Sequence, residues 1–253
     1  MNPAAEFAPS LALDGVAHGF FGRQGGASGG DFATLNCSYQ QGDVGALVAA
    51  NRESVLSSLG LRDVAIAKQV HSAAVVEVNS PFAEDARPEV DGLVTRVPGL
   101  ALGILTADCV PVLMVDRLAG VIGAAHAGWR GAVGGIVAAT TGKMRGLGAD
   151  PAHIRAAIGP SISADNYEVG EDFIEELLHA DRRHSIYLSA ASGGTPHFDL
   201  VRFVLDRLAD EGIKGERIGG CTYADEVRYF SHRRATHQGT KAGRQISVIA
   251  LRA

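Results

Sequence analysis

The sequence lacks the features of disulfide-rich, membrane-spanning and nucleic-acid-binding proteins. It contains three cysteines, an odd number in a chain too long to depend on disulfides, so a free thiol or a metal ligand is expected. No run approaches the roughly 20 apolar residues of a membrane-spanning helix. Lys and Arg number 23 against 28 Asp and Glu, so the basic excess typical of nucleic-acid-binding proteins is missing. We therefore expect no membrane and no nucleic-acid partner.

The N-terminal charge pattern is the reverse of that in a secretory signal peptide. Glu6 and Asp14 occur early, and no Lys or Arg precedes Arg23. This pattern favours a cytoplasmic protein. Neither a repeat at a fixed period nor a low-complexity segment is visible, and no change of composition marks a linker. We expect one domain, residues 1–253, and a monomer.

The periodicity of apolar residues predicts a mixture of helices and strands. The strands at 101–125 are continuously apolar, which indicates a sheet covered on both faces, whereas 244–251 alternates like a surface-facing strand. Strands 101–106 and 119–125 are close enough in sequence to be neighbours in one sheet. The pattern predicts a layered α/β sandwich with a mixed sheet. The predicted helices are 43–59, 131–144, 170–179 and 199–209, and the predicted strands are 64–70, 74–78, 101–106, 111–116, 119–125, 154–158, 217–223 and 244–251.

Three short stretches place metal-capable side chains where apolar strands end. They contain His71 in KQVH, Cys109 in TADC and His126 in HAGWRG. Two imidazoles and one thiolate suit zinc, which in catalytic sites has three protein ligands and one open position. The separations match no compact zinc-finger pattern, so spacing alone is weak support. Cys109 could also be a small buried hydrophobe, or a nucleophile activated by His126 and oriented by His71 or Asp108.

Residues near these candidate ligands suggest an anion site and a proton-transfer group. Gly128, Arg130 and Gly131 precede a predicted helix, where free amides and a guanidinium favour phosphate. Equally, the glycines could permit a tight turn and Arg130 could pair with a surface carboxylate. Asp108 could brace a turn or move protons for a bound water. The segment 23–30 could bind an anion or serve as an ordinary connection.

The order of several motifs resembles that of the laccase-domain family, whose members are also called YfiH-like proteins, peptidoglycan editing factors or purine nucleoside phosphorylases. HAGWRG and ADC followed by Val-Pro are the most specific of these motifs. The resemblance runs from end to end of the chain. It includes KQVHS at 68–72, VDGLVT at 90–95, TADCVPVL at 106–113, HAGWRG at 126–131, IGPSI at 158–162, YEVG at 167–170, SHRR at 231–234 and GRQ at 243–245.

This resemblance implies a single-domain α/β/β/α sandwich with mixed sheets and a zinc site held by His71, Cys109 and His126, with copper as the alternative metal. It also implies phosphorolysis of adenosine, inosine and methylthioadenosine, and deamination of adenosine. Purine nucleoside and phosphate are then the expected partners. A multicopper cluster is not expected, because the sequence has no His-x-His pair.

Within this interpretation, Asp108 and Cys109 are the predicted catalytic residues, and Arg130, Gly128 and Gly131 the predicted substrate-binding residues. Local departures from the family pattern are Ser72, His232 and a longer segment at 235–242, which affect the expected substrate contacts of the C-terminal loop. A Cys–His hydrolase that edits a cell-wall peptide precursor is one alternative function. The other is a non-catalytic binding module stabilised by zinc.

Overall fold

Most of the strands lie in two large mixed sheets. The computed structural model describes residues 3–190 and 194–253, and the strands in these ranges form a five-stranded sheet, a six-stranded sheet and a two-stranded ribbon. In chain order they are β1 (Ala5–Glu6), β2 (Val16–Phe21), β3 (Asp63–Ala65), β4 (Val75–Glu77), β5 (Gly92–Thr95), β6 (Leu100–Thr106), β7 (Val110–Asp116), β8 (Val121–Ala127), β9 (Arg155–Ile158), β10 (Leu188–Ala190), β11 (Pro196–Phe198), β12 (Gly215–Arg217) and β13 (Gln245–Leu251).

The helices cover the outer faces of the two sheets. They are α1 (Gly45–Ser58), α2 (Trp129–Val133), α3 (Ile136–Gly146), α4 (Glu171–Ala180), α5 (Leu200–Asp210) and α6 (His232–Gln238). Val55 and Leu56 of α1 pack on the five-stranded sheet. Val137 of α3 and Val204 of α5 pack on the six-stranded sheet. Within the described ranges, no helix is both long and apolar enough to cross a membrane.

A third apolar cluster lies between the two sheets. Leu102 and Ile104 of β6 and Ile249 of β13 face Leu113 of β7 and Ile122 of β8 in this cluster. Two sheets packed face to face with helices outside both make four layers. The predicted single-domain α/β/β/α sandwich with mixed sheets is therefore confirmed.

The order of strands within the sheets differs from one expectation. The five-stranded sheet has the order β1-β2-β13-β6-β3, and the six-stranded sheet has the order β12-β9-β7-β8-β5-β4. Strands 101–106 and 119–125 were predicted to be neighbours in one sheet, and that prediction is wrong. A tight turn pairs β8 with β7 in one sheet, with Val115 opposite Ile122, while β6 pairs with β13 in the other.

The alternating C-terminal strand is also more enclosed than its pattern suggested. Every residue of β13 is buried, because this strand lies in the middle of the five-stranded sheet. The other sheet covers one of its faces and α1 covers the other. The prediction of a surface-facing strand is therefore wrong. The small and polar residues that produce the alternation, such as Ser247, are buried as well.

Helix boundaries agree with the periodicity except where glycines interrupt it. The bounds of α1, α4 and α5 lie within two residues of the predicted ones. The predicted helix at 131–144 is instead two helices, because Gly135 has a φ of +91° that a helix interior does not permit. Helix α6 and five strands, β1, β2, β5, β10 and β11, have no counterpart among the predicted elements.

Candidate metal centre

The three predicted ligands meet at one end of the six-stranded sheet. His126 is in β8, Cys109 directly precedes β7, and His71 lies in a turn after β3. Because Pro111 pairs with His126 across the two strands, Cys109 and His126 are brought to the same edge. The ligand atoms of all three side chains lie within 4.8 Å of one another, and the Cys109 Sγ is 3.9 Å from the His71 Nε2. The predicted convergence is confirmed.

A buried carboxylate orients one of the imidazoles. The Asp91 Oδ1 lies 2.8 Å from the Nδ1 of His126, which leaves the Nε2 of that ring free to bind a metal. Asp91 precedes β5 and is 1% exposed. Burial alone would raise the pKa of Asp91, but hydrogen bonds from His126 and Ser72 lower it to about 2. This carboxylate is therefore charged at neutral pH.

The same carboxylate also holds the turn that carries His71. Its two oxygens accept hydrogen bonds from the backbone amides of Val70, His71 and Ser72, at 3.1, 3.0 and 2.7 Å. His71 has a φ of +63°, a left-handed conformation that costs energy for a residue with a Cβ atom. Asp91 thus offsets the strain of one ligand while it orients another.

The sequence pattern alone does not reveal the importance of Asp91. The residue lies in the VDGLVT stretch, which contributes to the family resemblance. An aspartate directly before an apolar strand is the signal that was available in the sequence. Its proximity to His71 and His126 arises from the pairing of β5 with β8, which no sequence spacing indicates.

Gly128 has a steric role beside the ligands. A Cβ atom at this position would lie 2.5 Å from the Cδ2 of His71 and 3.1 Å from the Cys109 Sγ. Any other residue would therefore push the ligands apart. A Cβ atom on Gly131 would lie 2.8 Å from the backbone oxygen of Ser72. These two glycines let the chain pass close to the His71 turn, and their contact with substrate stays a prediction.

The charges of the ligand group favour a bound cation. Burial of the Cys109 thiol would raise its pKa, but the adjacent His126 and His71 rings outweigh burial and lower it. Burial lowers the pKa of His126, and the charges of Cys109 and Asp91 outweigh that effect and raise it. A thiolate is thus available at neutral pH. One thiolate and two imidazoles within bonding reach of a common point form a metal-binding group.

Two clefts flank this group and differ in chemistry. We call the first the polar cleft, a space of about 300 Å³ whose walls include Gln40, Gln69, Thr106 and Arg244. The second, the aromatic cleft of about 410 Å³, has Trp129 and Tyr167 in its walls together with Val70, Ile162 and Leu200. His71, Cys109 and His232 line both clefts. The metal-binding group therefore lies where the two clefts meet.

Asp108 lies in the wall of the aromatic cleft and is engaged with the chain. Its Oδ1 accepts a hydrogen bond from Thr222 Oγ1 at 2.7 Å, and its Oδ2 accepts one from the backbone amide of Arg233 at 2.6 Å. Its φ of +88° is left-handed. Asp108 therefore braces the start of α6, and its role in proton transfer stays a prediction.

Arg130 lies at the rim of the aromatic cleft. Its guanidinium is largely exposed, lies 3.4 Å from a carboxylate oxygen of Glu176, and stacks on the Trp129 ring at 4.5 Å from the centroid. The predicted phosphate contact of Arg130 stays a prediction. Both elements of the alternative interpretation, a surface ion pair and a tight turn, are present in the structure.

The segment 23–30, considered as a possible anion-binding loop, is tied to the rest of the chain. Arg23 donates to the backbone oxygen of Ala33 at 2.7 Å, and Ala27 donates to the side chain of Asn51 at 2.8 Å. These contacts fit the alternative of an ordinary connection.

The fold and the ligand group together define a class of protein: a four-layer sandwich with a three-ligand metal-binding group at the ends of its strands. Among the described residues, His71, Cys109 and His126 form the one cluster of three or more metal-capable side chains. The chain belongs to the family described as multi-copper polyphenol oxidoreductase laccase, whose model matches residues 17–252.

Curated relatives share much of their sequence with this chain. A Deinococcus radiodurans protein named purine nucleoside phosphorylase is 40% identical over 247 residues, which cover 96% of this chain and 91% of the relative. A Streptomyces griseus protein named purine nucleoside phosphorylase ORF3 is 40% identical and covers 91% of this chain and 94% of its own. These names support the prediction that the chain is an enzyme.

Solved structures share the fold over nearly the whole chain. A Neisseria meningitidis protein of the DUF152 family has a TM-score of 0.85 and 33% identity, with both chains covered completely. YlmD from Geobacillus stearothermophilus has a TM-score of 0.84 and 32% identity, with 97% of this chain and 94% of its own covered. The family resemblance seen in the sequence is therefore confirmed.

Proposed function

We propose that this chain is a zinc-dependent purine nucleoside phosphorylase that acts on adenosine, inosine and methylthioadenosine and also deaminates adenosine. The observation that carries the proposal is the metal-binding group placed between a polar cleft and an aromatic cleft. A nucleoside has an apolar base and a polar sugar, and phosphate is an anion, so the substrates need surfaces of both kinds. The names of the relatives support phosphorolysis.

The donor set supports zinc as the metal. His71, Cys109 and His126 would hold it, and their nitrogen and sulfur atoms are the ligands zinc takes in sites that keep an open position. Blue-copper sites also use two histidines and a cysteine, with a weak and distant axial ligand that is methionine, glutamine or a backbone oxygen. Gln69 lines the polar cleft beside the group, so copper stays the alternative metal. Bound zinc supplies Lewis-acid chemistry at the junction of the clefts.

The aromatic cleft is the proposed site of the purine. Tyr167 and Trp129 offer ring surfaces on which a flat base can stack, as bases do on aromatic side chains of many proteins. Gly128, Arg130 and Gly131 are the proposed substrate contacts at the rim of this cleft. The sugar then lies beside Cys109 and His71, which the two clefts share.

Asp108 is the proposed group for proton transfer. Its carboxylate lies beside the ligand Cys109 in the wall of the aromatic cleft and is 8% exposed. A carboxylate in such a place can take a proton from an attacking water or give one to a departing group. Its two hydrogen bonds hold it in one orientation, which a proton-transfer group requires.

Product analysis on the metal-loaded protein tests the proposal. With phosphate, inosine is expected to yield hypoxanthine and ribose 1-phosphate. Without phosphate, adenosine is expected to yield inosine and ammonia. The matched control is Cys109→Ser, prepared and metal-loaded in the same way. The absence of both reactions in the loaded wild-type protein would contradict the proposal.

One observation favours the Cys–His hydrolase as a second candidate. Cys109, His126 and Asp91 form a chain of thiol, imidazole and carboxylate, the arrangement that activates a cysteine nucleophile. Alkylation by iodoacetamide separates the candidates. A Cys109 bound to metal is expected to be protected in the loaded protein and to react after chelation, whereas a free nucleophile reacts at the same rate in both.

A further inference from the structure

Arg244 stands out because its guanidinium has no carboxylate partner. It directly precedes β13, and among the described residues no aspartate or glutamate forms an ion pair with it. The side chain is half-buried at the wall of the polar cleft. Burial lowers the pKa of Arg244, while the charges of Cys109 and Asp108 raise it, so the group remains a cation.

The hydrogen bonds of Arg244 leave one edge of the guanidinium free. Its Nη1 donates to the backbone oxygens of Ala242 at 2.8 Å and Gly243 at 3.1 Å. Its backbone amide donates to the Oδ1 of Asn36 at 2.9 Å, which fixes the start of the strand. The Nε and Nη2 atoms have no protein acceptor within the described ranges. These two atoms form the edge that binds two oxygens of a phosphate in parallel.

A second side chain of the polar cleft also lacks a partner. Thr106 is 1% exposed, and its hydroxyl has no hydrogen bond within the part of the chain that the structure describes. Thr106 ends β6 and lines the same cleft as Arg244. A buried hydroxyl without a partner costs free energy unless a ligand or water satisfies it. Arg244 thus offers a free cation to this cleft, and the cleft wall contains the buried, unpartnered hydroxyl of Thr106.

The other arginines near the metal-binding group are already engaged. Arg130 pairs with Glu176, and Arg233 donates to the backbone oxygen of Glu168 at 2.9 Å. Arg87, which lines the polar cleft, lies 2.6 Å from a carboxylate oxygen of Glu84. Arg233 also lacks a carboxylate partner, but it lines the aromatic cleft. Among the described residues of the polar cleft, Arg244 is therefore the arginine whose charge no carboxylate compensates. A bound divalent metal would also neutralise the Cys109 thiolate, which increases the need for an anion.

We propose that the polar cleft is the phosphate subsite, in which Arg244 binds two phosphate oxygens and the Thr106 hydroxyl binds the same anion. The proposal rests on the proposed phosphorylase function and assigns its co-substrate to Arg244 instead of Arg130. Phosphate and purine then lie on opposite sides of the junction formed by His71 and Cys109.

This arrangement suits the displacement that phosphorolysis requires. An oxygen of hydrogenphosphate forms a bond to the ribose C1′ as the bond from C1′ to the purine N9 breaks. The electron pair of the broken bond leaves with the purine, and the proton carried by hydrogenphosphate ends on the departing base. Attack and departure take place on opposite faces of C1′. The polar cleft would hold the attacking phosphate on one face, and the aromatic cleft would hold the departing purine on the other.

Matched glutamine variants test the assignment. Arg244→Gln and Arg130→Gln are compared with wild type, each metal-loaded, by calorimetric titration with inorganic phosphate and by inosine phosphorolysis at varied phosphate concentrations. Arg244→Gln is expected to raise the phosphate Kd and KM roughly 10–100-fold, the effect of losing hydrogen bonds to a charged group. The inosine KM and the metal content are expected to stay within about two-fold. Arg130→Gln is expected to leave the phosphate Kd near the wild-type value.

A second variant keeps the test decisive if Arg244→Gln folds poorly. Thr106→Val removes only the unpartnered hydroxyl, so the melting temperature is expected to be maintained or raised while the phosphate Kd rises a few-fold. Phosphate affinity that is unchanged in both Arg244→Gln and Thr106→Val overturns the proposal, as does a loss confined to Arg130→Gln.

The outcomes also separate this proposal from the proposed function. If wild type releases no base from any nucleoside but binds phosphate through Arg244, the subsite stands and the phosphorylase function is wrong. If wild type carries out phosphorolysis and Arg244→Gln does so with the same phosphate KM, the function stands and the subsite is wrong. Adenosine deamination measured without phosphate serves as an internal control, because it uses no phosphate and is expected to fall much less than phosphorolysis in Arg244→Gln.

Discussion

The two clefts beside the metal-binding group are built from different parts of the fold. The polar cleft is bounded by the end of β6 and by Arg244 just before β13, both in the five-stranded sheet. The aromatic cleft is bounded by α2 and by Tyr167, which pack on the six-stranded sheet. The junction of two sheets thus gives one set of ligands two unlike surroundings.

This difference matches the needs of the two proposed substrates. In the polar cleft, groups such as Arg244 and Thr106 have unused hydrogen-bonding capacity. In the aromatic cleft Asp108 already accepts hydrogen bonds from Thr222 and Arg233, and ring surfaces remain to contact a ligand. Unused polar capacity favours an anion, and exposed rings favour a flat base.

Loss of the shared ligands is expected to abolish the function of both clefts at once. Cys109→Ser and His126→Ala are expected to contain little metal and to show neither phosphorolysis nor deamination, because either change leaves too few strong ligands. Elemental analysis and product assays on the same preparations measure both effects. Chelation of wild type is the matched control. Full metal content in either variant would remove its residue from the ligand set.

Asp108→Asn tests whether the aromatic cleft contains a proton-transfer group. The turnover number per bound metal is expected to fall about 10²–10⁴-fold, the usual contribution of a proton-transfer group, with near-normal metal content. Thr222→Val is the control, because it removes one hydrogen bond to the carboxylate without changing its charge.

Melting temperatures identify a purely structural role for Asp108. If the residue only braces the start of α6, Asp108→Asn lowers the melting temperature while the activity per bound metal stays at the wild-type level. That result would contradict the proposed proton transfer.

Asp91→Asn is expected to weaken metal binding, although Asp91 is not itself a predicted ligand. Loss of the charged partner of His126 and of the acceptor for the His71 turn is expected to lower metal affinity roughly 10–100-fold. Competition with a chelator of known affinity measures the change. Ser72→Ala removes one hydrogen bond to the same carboxylate and is expected to have a smaller effect. Equal effects of the two changes would contradict the role assigned to Asp91.

Tyr167→Ala is expected to have the smallest effect and to be confined to the aromatic cleft. Loss of a stacking ring is expected to raise the nucleoside KM about 10-fold, within the range measured for base stacking on aromatic side chains. The phosphate KM is expected to stay near wild type, since phosphate is assigned to the other cleft. Tyr167→Phe is the control that keeps the ring. A rise in the phosphate KM alone would reverse the assignment of the clefts.

Part of the site could be predicted because its residues lie at the ends of strong apolar strands. Continuous apolar runs identify β6, β7 and β8, and Cys109 and His126 are recognisable as functional groups next to them. The contribution of Asp91 could not be predicted in this way. It depends on β5 lying beside β8, and the four residues of β5 form too short a run for periodicity to reveal.

The sequence by itself predicted most of the types of element and the continuously apolar strands, because apolar periodicity is a local property of the chain. It offered His71, Cys109 and His126 as candidate metal ligands through their donor chemistry and the family resemblance. Only the tertiary structure decided that β6 and β8 lie in different sheets and that β13 is buried between layers. Only it brought Arg244 and Thr106 to the same cleft as His71. These are outcomes of strand pairing between segments far apart in the chain. Pairing of that kind depends on how whole faces pack together, which no single stretch of sequence encodes.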